Sequence, residues 1–293
     1  MADARAMGEG VLYDRGYRGY DGPRAGRASA IWALFVYSLR RAVGIGRRWT
    51  AKILPIFLYL VAFGPVLLFI GLRVILGSLL ENGPDYGNIF GILTLVVLIF
   101  GATAAPEMLC DDRRQGVLPL YFSRTITRGD YLLAKLGALA VVLLSVTALP
   151  MLLMFVGNIL LASDLTGYAR DNADDLWRLI ALSLLVSVFY AAIALAIAAN
   201  VDRKGVAAAI FAGVFLVGTG LVAAVRENIA WSGRDYVLLA SPGRVAEGLT
   251  SWIFPPEVQE NPPPFNGAWF LISVLVVVVV CGVLLYRRYL RED

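Results

Sequence analysis

The chain has 293 residues, of which 59% are hydrophobic and only 16% are charged, and its formal net charge is +4. A soluble domain has about a quarter of its residues charged, so this composition excludes an ordinary soluble protein. The chain contains no histidine, which excludes nucleophilic catalysis and metal sites that depend on imidazole.

Six stretches are long enough and apolar enough to cross a membrane as helices. A hydrocarbon core about 30 Å thick needs roughly 20 apolar residues at about 1.5 Å each, and none of the six contains Asp, Glu, Lys or Arg. The predicted spans are 53–72, 86–106, 136–163, 179–199, 205–225 and 268–286. Lipid offers the backbone no hydrogen-bond partner, and the six stretches do not alternate as barrel strands do. We therefore predict an all-α polytopic membrane protein.

Basic residues are divided unequally between the two sides of such a protein. Twenty Lys and Arg residues fall on one side, which comprises residues 1–52, 107–135, 200–204 and 287–293. Six fall on the other side, which comprises residues 73–85, 164–178 and 226–267. The positive-inside rule places the more basic side in the cytoplasm. We therefore expect cytoplasmic N and C termini and a multi-pass protein of the inner or plasma membrane.

Residues 1–27 are rich in Gly, Arg and Tyr and lack apolar periodicity, which predicts a flexible cytoplasmic tail. Such a composition also suits nucleic acid, but the segment is short and its acidic residues dilute the charge. We expect the tail to contact anionic lipid or a cytoplasmic partner, and we predict no nucleic-acid partner.

Residues 28–48 predict an amphipathic helix that lies along the inner leaflet of the membrane. Its apolar arc comprises Trp32, Phe35, Val36, Leu39 and Val43. Its basic residues are Arg41 and Arg48 on the opposite face and Arg40 and Arg47 at the flanks. Ser29 is the expected N-cap, and the arginines are expected near lipid phosphates. The alternative is that the segment is simply the cytoplasmic start of the first span.

The connection 107–135 is a long polar segment between two predicted spans. Gly116 and Pro119 interrupt the helix preference of the residues around them. Thr127 and Asp130 have the spacing of a capping box, which predicts a helix that starts there and continues into the third span. We expect a short helix, a turn and a second helix.

The connection 226–267 contains a further predicted helix. Ser241 suits an N-cap and Pro242 the first helical position. Apolar residues then recur at helical spacing, at Val245, Ala246, Leu249, Trp252 and Ile253. We expect this helix to lie in the outer interface or to dip back into the membrane.

Two segments of the connection 107–135 resemble the first cytoplasmic loop of ABC-2 type transporter permeases. They are residues 112–118, DRRQGVL, and residues 123–135, SRTITRGDYLLAK. In that family an acidic and basic stretch precedes Gly-Thr-Leu, and a Ser-x-Pro segment follows and leads to an apolar run that closes on Lys. Here Val117 stands where Thr is usual, Thr125 where Pro is usual, and Pro119 where an acidic residue is frequent. The architecture of residues 28–293 is also similar to that family's transmembrane domain, including a short re-entrant helix before the last span.

The resemblance implies that the chain is the membrane subunit of a bacterial ABC exporter, with ATP hydrolysed by a separate cytoplasmic subunit. The residues it places in the ATPase-docking loop are Asp112, Arg113, Arg114, Gly116, Val117, Leu118, Arg124 and Arg128. The interfacial helix, with Trp32, Phe35, Leu39, Arg40 and Arg41, is expected to brace the rim of that ATPase.

The residues themselves agree with a subunit that takes energy from elsewhere. The sequence has no Walker-type phosphate loop and no Gly-x-Ser-x-Gly elbow, so we expect no enzymatic activity and no cofactor on this chain. No predicted span holds the interior carboxylate or lysine that ion-coupled pumps usually need. Six spans are few to enclose a pathway, which predicts a dimer with a second copy or a similar chain. The alternatives are a stand-alone secondary transporter or channel, a membrane enzyme, and a membrane assembly scaffold. The sequence does not name the substrate.

Overall fold

The computed structural model describes residues 26–46, 49–76, 86–122, 126–162, 164–229, 233–255 and 265–290. In these ranges the chain forms ten α-helices and one 3₁₀ helix. The first five helices are α1 (Arg27–Ala42), α2 (Thr50–Leu76), α3 (Tyr86–Arg114), α4 (Leu118–Phe122) and α5 (Arg128–Leu161). The others are α6 (Leu165–Asp171), α7 (Ala173–Asn200), α8 (Lys204–Asn228), the 3₁₀ helix Arg234–Ala240, α9 (Pro242–Ile253) and α10 (Ala268–Leu290).

Six of these helices are long and apolar enough to cross a membrane, which confirms the six predicted spans. They are α2, α3, α5, α7, α8 and α10. In α3, α5 and α7 more than half of the side chains in the most apolar window are buried, so these three helices form the core. The helices α2, α8 and α10 expose most of theirs. Their outer faces are therefore available to lipid or to another subunit.

Helices α3 and α5 extend well beyond the predicted spans. Helix α3 continues eight residues past position 106, and α5 begins eight residues before position 136. The predicted spans stop at the first charged residue. A helix can continue beyond that residue as long as its backbone groups and its side chains have partners. Gly116, with φ of 63°, follows the end of α3 in the left-handed conformation that glycine tolerates best. The predicted capping box is confirmed, because the Thr127 side chain accepts from the Asp130 backbone and the Asp130 side chain accepts from the Thr127 backbone.

Helix α1 is shorter than predicted. It ends at Ala42 rather than position 48, and Gly44 and Gly46 follow with φ of 80° and 84°. Its N-cap is Gly26, so the assignment of Ser29 was wrong. Helix α1 packs against α5 and α3. Residues 1–25 of the predicted tail 1–27 lie outside the described residues.

The segment between α8 and α10 folds back into the bundle. Asp235 in the 3₁₀ helix pairs with Arg226 near the end of α8 at 2.8 Å. Ser241, which is buried, then lies beside Thr219 with a hydroxyl separation of 3.4 Å. Thr219 precedes the end of α8 by nine residues, or about 13 Å of helix. Helix α9 starts at this depth and returns outward, where the Phe254 ring packs on Tyr86 at 5.6 Å. The sequence therefore identified the helix, and the structure favours the re-entrant arrangement over a surface one.

Candidate functional site

The charged residues of the connection 107–135 lie at one end of the bundle, which we call the loop end. It comprises the end of α3, the whole of α4, the start of α5 and the turn 201–203 between α7 and α8. Helix α1 lies across it. Arg27 forms a bidentate ion pair with Asp130, with two hydrogen bonds of 2.9 Å each. The first turn of α1 is thereby tied to the first turn of α5.

Asp112 is the centre of a buried charge cluster at the loop end. Its Oδ1 accepts a hydrogen bond from Arg41 Nη1 at 2.9 Å. Its Oδ2 lies 2.7 Å from the Nζ of Lys135 and accepts from the Tyr131 hydroxyl at 2.9 Å. Lys135 also donates to the carbonyl of Met108 at 3.2 Å. Lys135 is fully buried and Asp112 is 1% exposed, so the pair is withdrawn from water and joins α1, α3 and α5.

Asp111 extends the cluster to the other side of α3. Its Oδ2 pairs with Arg41 Nη2, and its Oδ1 lies 2.6 Å from Lys204 Nζ at the start of α8. Arg41 therefore bridges two neighbouring carboxylates. Burial opposes the charged form of Arg41, but Asp112 and Asp111 outweigh burial and leave the pKa of Arg41 above its usual value. The guanidinium is a permanent bidentate clamp between α1 and α3.

Arg113 joins α3 to the turn between α7 and α8. It donates to the carbonyl of Ala199 at 2.6 Å and pairs with Asp202 at 3.1 Å. The thiol of Cys110 points to the same turn, 3.2 Å from the carbonyl of Val201. The turn between α7 and α8 is thus attached to the end of α3, where the connection 107–135 begins.

Aromatic rings hold α4 in place on the same cluster. The rings of Tyr121 and Phe122 lie 5.7 and 5.9 Å from Tyr131, and Tyr289 of α10 packs on Tyr131 at 5.7 Å. Burial raises the pKa of Tyr121, and the neighbouring Asp112 raises it further, so this hydroxyl stays neutral. Leu120 points away and is 67% exposed. Helix α4 therefore has one face fixed to the bundle and one face turned outward.

The residues predicted for the docking loop fall into three groups. Asp112 is buried and Arg113 is partly buried, and both are paired with residues of this chain. Their contact with a partner stays a prediction. Arg114 and Gly116 are exposed, and Val117 and Leu118 are partly buried beside them. Arg128 lies 5.7 Å from the ring of Phe122, and Arg124 lies outside the described residues.

The residues predicted for the interfacial helix are divided between two surfaces. Trp32 is 65% exposed and stacks on Phe35, and Arg40 is also exposed. Phe35 and Leu39 pack against the core. The expectation that Arg41 faces lipid phosphates was wrong, because Arg41 is 8% exposed and pairs with two carboxylates. A helical wheel treats a helix as isolated on a flat surface and cannot show a carboxylate supplied by another helix.

Four residues of the cluster had no assigned role in the sequence prediction. They are Asp111, Tyr131, Lys135 and Lys204. One signal was present: the short turn between two long spans carries Asp202, Arg203 and Lys204. Charges so close to two spans need partners, and the structure supplies Arg113 for Asp202 and Asp111 for Lys204. The sequence did not show that α3 would extend far enough to meet them.

A cavity of about 710 Å³ opens beside this junction and is lined largely by charged residues. The lining residues are Cys110, Asp111, Arg113, Arg114, Asp202, Arg203 and Lys204. The ion pairs of this region, among the described residues, set four cations, Arg41, Arg113, Lys135 and Lys204, against three carboxylates, Asp111, Asp112 and Asp202. The ion pairs join α3 to α1, α5 and the start of α8, and the rings of Tyr121 and Phe122 place α4 against Tyr131 of α5.

The family model described as ABC-2 family transporter protein matches residues 21–293, which is nearly the whole chain. No curated protein matches the sequence.

Proposed function

The chain belongs to the ABC-2 transporter family and is a multi-pass membrane permease, and from this membership we propose its place in a working transporter. It is the permease subunit of an ATP-driven exporter, and it is driven by a separate cytoplasmic ATPase. The loop end faces the cytoplasm, and two permease chains form the translocation pathway between them. This chain supplies no catalytic group and no cofactor site for ATP.

The observation that carries the proposal is the attachment of α4 to the rest of the bundle. The exposed surface formed by Arg114, Gly116, Pro119 and Leu120 is the docking surface we assign to the ATPase. Its apolar centre with an adjacent cation suits a groove with an apolar floor and an acidic rim. Behind it, the Asp111 and Asp112 pairs connect the docking surface to α1, α5 and α8. Motion of the ATPase would therefore reach several spans at once.

The exposed faces of α2, α8 and α10 support a second permease copy. Lipid-facing side chains of a complete transporter can be apolar, but a pathway for cargo needs an enclosure, and α3, α5 and α7 pack into a core with more than half of the side chains in their most apolar windows buried. The partner is a second copy of this chain or a similar chain.

The test is purification of the tagged protein from membranes of its native host. We expect a stoichiometric partner that carries Walker motifs and hydrolyses ATP. The combined change Arg114→Glu and Leu120→Asp should reduce the recovery of this partner at least roughly tenfold, because hot-spot contacts contribute about 2 kcal/mol or more each. The matched control is Arg170→Glu with Leu165→Asp, which makes the same changes on exposed residues of α6 at the opposite end.

Two results would contradict the proposal. One is full recovery of the ATPase with the docking-surface variant. The other is uphill transport by the purified chain alone in proteoliposomes driven by an ion gradient, which would indicate a secondary transporter instead.

A further inference from the structure

A second cavity lies at the opposite end of the bundle, between α3 and the re-entrant helix α9. Its volume is about 500 Å³. The lining residues are Gly87, Asn88, Gly91, Thr94, Gly243, Glu247, Thr250, Ser251 and Phe254. Thr94 is eight residues inside the start of α3, or about 12 Å of helix. The cavity therefore reaches into the membrane-spanning part of the protein.

The cavity lies at this depth because α9 packs very closely on α8. A Cβ atom at Gly243 would lie 3.4 Å from the carbonyl oxygen of Phe215 and would overlap the hydroxyl of Thr219. Only glycine allows this approach, which brings the first turn of α9 against α8. One turn later Glu247 enters the cavity.

Three hydroxyls that line the cavity are available as hydrogen-bond acceptors. The hydroxyl of Thr94 donates to the carbonyl of Phe90 at 2.9 Å, and the hydroxyl of Thr250 donates to that of Ala246 at 2.9 Å. Ser251 donates to the carbonyl of Gly248 at 3.1 Å. A hydroxyl has one hydrogen, so each of these three offers only lone pairs to a ligand.

The carboxylate of Glu247 adds a negative charge to these acceptors. Its side chain is 65% exposed, and its Oε2 accepts from Arg244 Nη1 at 2.9 Å. Arg244 does not line the cavity. The other oxygen, Oε1, makes no hydrogen bond within the described part of the chain. It remains able to accept from a ligand.

We propose that the cavity between α3 and α9 binds a protonated amine or guanidinium group of the transported compound. Glu247 Oε1 supplies the charge contact, and Thr94, Thr250 and Ser251 accept the remaining N–H groups. Phe254 and the neighbouring glycines leave room for an apolar portion. The inference rests on the proposed function, since it identifies the ligand as cargo, but binding itself requires neither ATP nor the ATPase.

The experiment measures thermal stabilisation of the purified full chain in detergent with three water-soluble probes of similar size. They are 2-phenylethylamine, 2-phenylethanol and phenylacetate. We expect saturable stabilisation by the amine alone. Glu247→Gln keeps the size of the side chain, and its amide oxygen can still accept from Arg244. It should weaken binding of the amine at least roughly tenfold, which is the effect of losing a hydrogen bond to a charged group. The carboxylate control is Glu227→Gln, an exposed residue at the end of α8.

A second variant keeps the inference testable if Glu247→Gln does not fold. Thr94→Val removes one acceptor and keeps the shape of the side chain, and it should weaken binding of the amine several-fold. Its control is Thr103→Val, because Thr103 makes the same bond to its own helix, to the carbonyl of Ile99 at 3.1 Å, but lies outside the cavity. Equal stabilisation by the alcohol, stronger stabilisation by phenylacetate, or unchanged amine binding in the variants would overturn the inference.

Failure here and failure of the proposed function are distinguishable. If amine binding is absent while the docking-surface variant still releases an ATPase, only the cargo assignment is wrong. If the amine binds but no ATPase is found, the cavity stands and the energy source is different. With both in place, the amine should stimulate ATP hydrolysis by the reconstituted complex, and Glu247→Gln should abolish that stimulation.

Discussion

Lys135 Nζ and Asp112 Oδ2 lie 2.7 Å apart in the interior of the loop end, with Lys135 fully buried and Asp112 almost so. Removing one member of a buried pair leaves a charge without its partner and typically costs about 3–5 kcal/mol. We expect Asp112→Asn to lower the stability more than Lys135→Met, because Asp112 also accepts hydrogen bonds from Arg41 and Tyr131. Unfolding in a mixed detergent titration measures both.

The control for the buried pair is Arg27→Gln, which removes an exposed partner of Asp130 and should change stability little. The double variant Asp112→Asn with Lys135→Met should recover part of the loss, since no unpaired lysine remains. Equal effects of Asp112→Asn and Arg27→Gln would show that the cluster does not hold α3 to α5.

Lys204 tests whether the cluster transmits force between the two polar connections. Lys204→Gln removes the contact to Asp111 while Arg41 continues to neutralise that carboxylate. We expect normal recovery of the ATPase partner with a several-fold decrease in cargo-stimulated ATP hydrolysis. Lys52→Gln, a change of the same kind in α2 outside the cluster, serves as the control. Unchanged stimulation would place the coupling route elsewhere.

Gly116 tests the conformation of the chain between α3 and α4. Its φ is 63° and no atom lies within 4 Å of a Cβ built there, so Gly116→Ala is opposed by backbone conformation alone. We expect a loss of about 1 kcal/mol, and a smaller loss for Gly116→Asn. Gly205→Ala is the control, because that position has similar open space without a positive φ, and it should be neutral or slightly stabilising. Thermal unfolding in detergent measures the three variants.

Gly248 tests the packing of the re-entrant helix. A Cβ at Gly248 would overlap the ring of Phe270 in α10, so Gly248→Ala should cost about 1–3 kcal/mol through overpacking. Adding Phe270→Leu should restore part of the stability by making room. Gly220→Ala in α8 meets no neighbouring atom and is the matched control. Detergent unfolding again supplies the measurement, and an undiminished stability of Gly248→Ala would show that α9 is not packed against α10 in this way.

The orientation of the chain in the membrane can be tested with single cysteines. The native Cys110 and Cys281 are buried and free, which should keep background labelling low. With a membrane-impermeant maleimide on intact cells, we expect Leu165→Cys to react and Leu120→Cys to react only after permeabilisation. Both positions are exposed, so access alone does not distinguish them. The reverse pattern would place the loop end outside the cytoplasm.

The spans and the start of α5 could be predicted from the sequence because their causes are local. A run of apolar residues long enough for a bilayer is visible directly, and Thr127 and Asp130 form their capping box within four residues. The same applies to α9, whose Ser241 and Pro242 mark its start. The structure confirms these elements because each depends on neighbouring positions along the chain.

The cluster could not be predicted because its contacts join distant parts of the sequence. Arg41 meets Asp112 across 71 positions, and Arg113 meets the carbonyl of Ala199 across 86. The position of Glu247 at a cavity was missed for a related reason. A count of charges assigns it to an outer connection, and the close packing of Gly243 on α8 places its helix beside the cavity that Glu247 lines.

The length of α5 has a consequence for the size of the movements involved. Its 34 residues form a rod about 51 Å long, whereas the hydrocarbon core is about 30 Å thick. The rod is therefore longer than the hydrocarbon core is thick, and the charge cluster holds the end that carries Lys135. A rotation of ~10° about its midpoint shifts the two tips by ~9 Å relative to each other. A modest swing applied at the tip held by the cluster would thus become an opposite displacement of ~4 Å at the far tip.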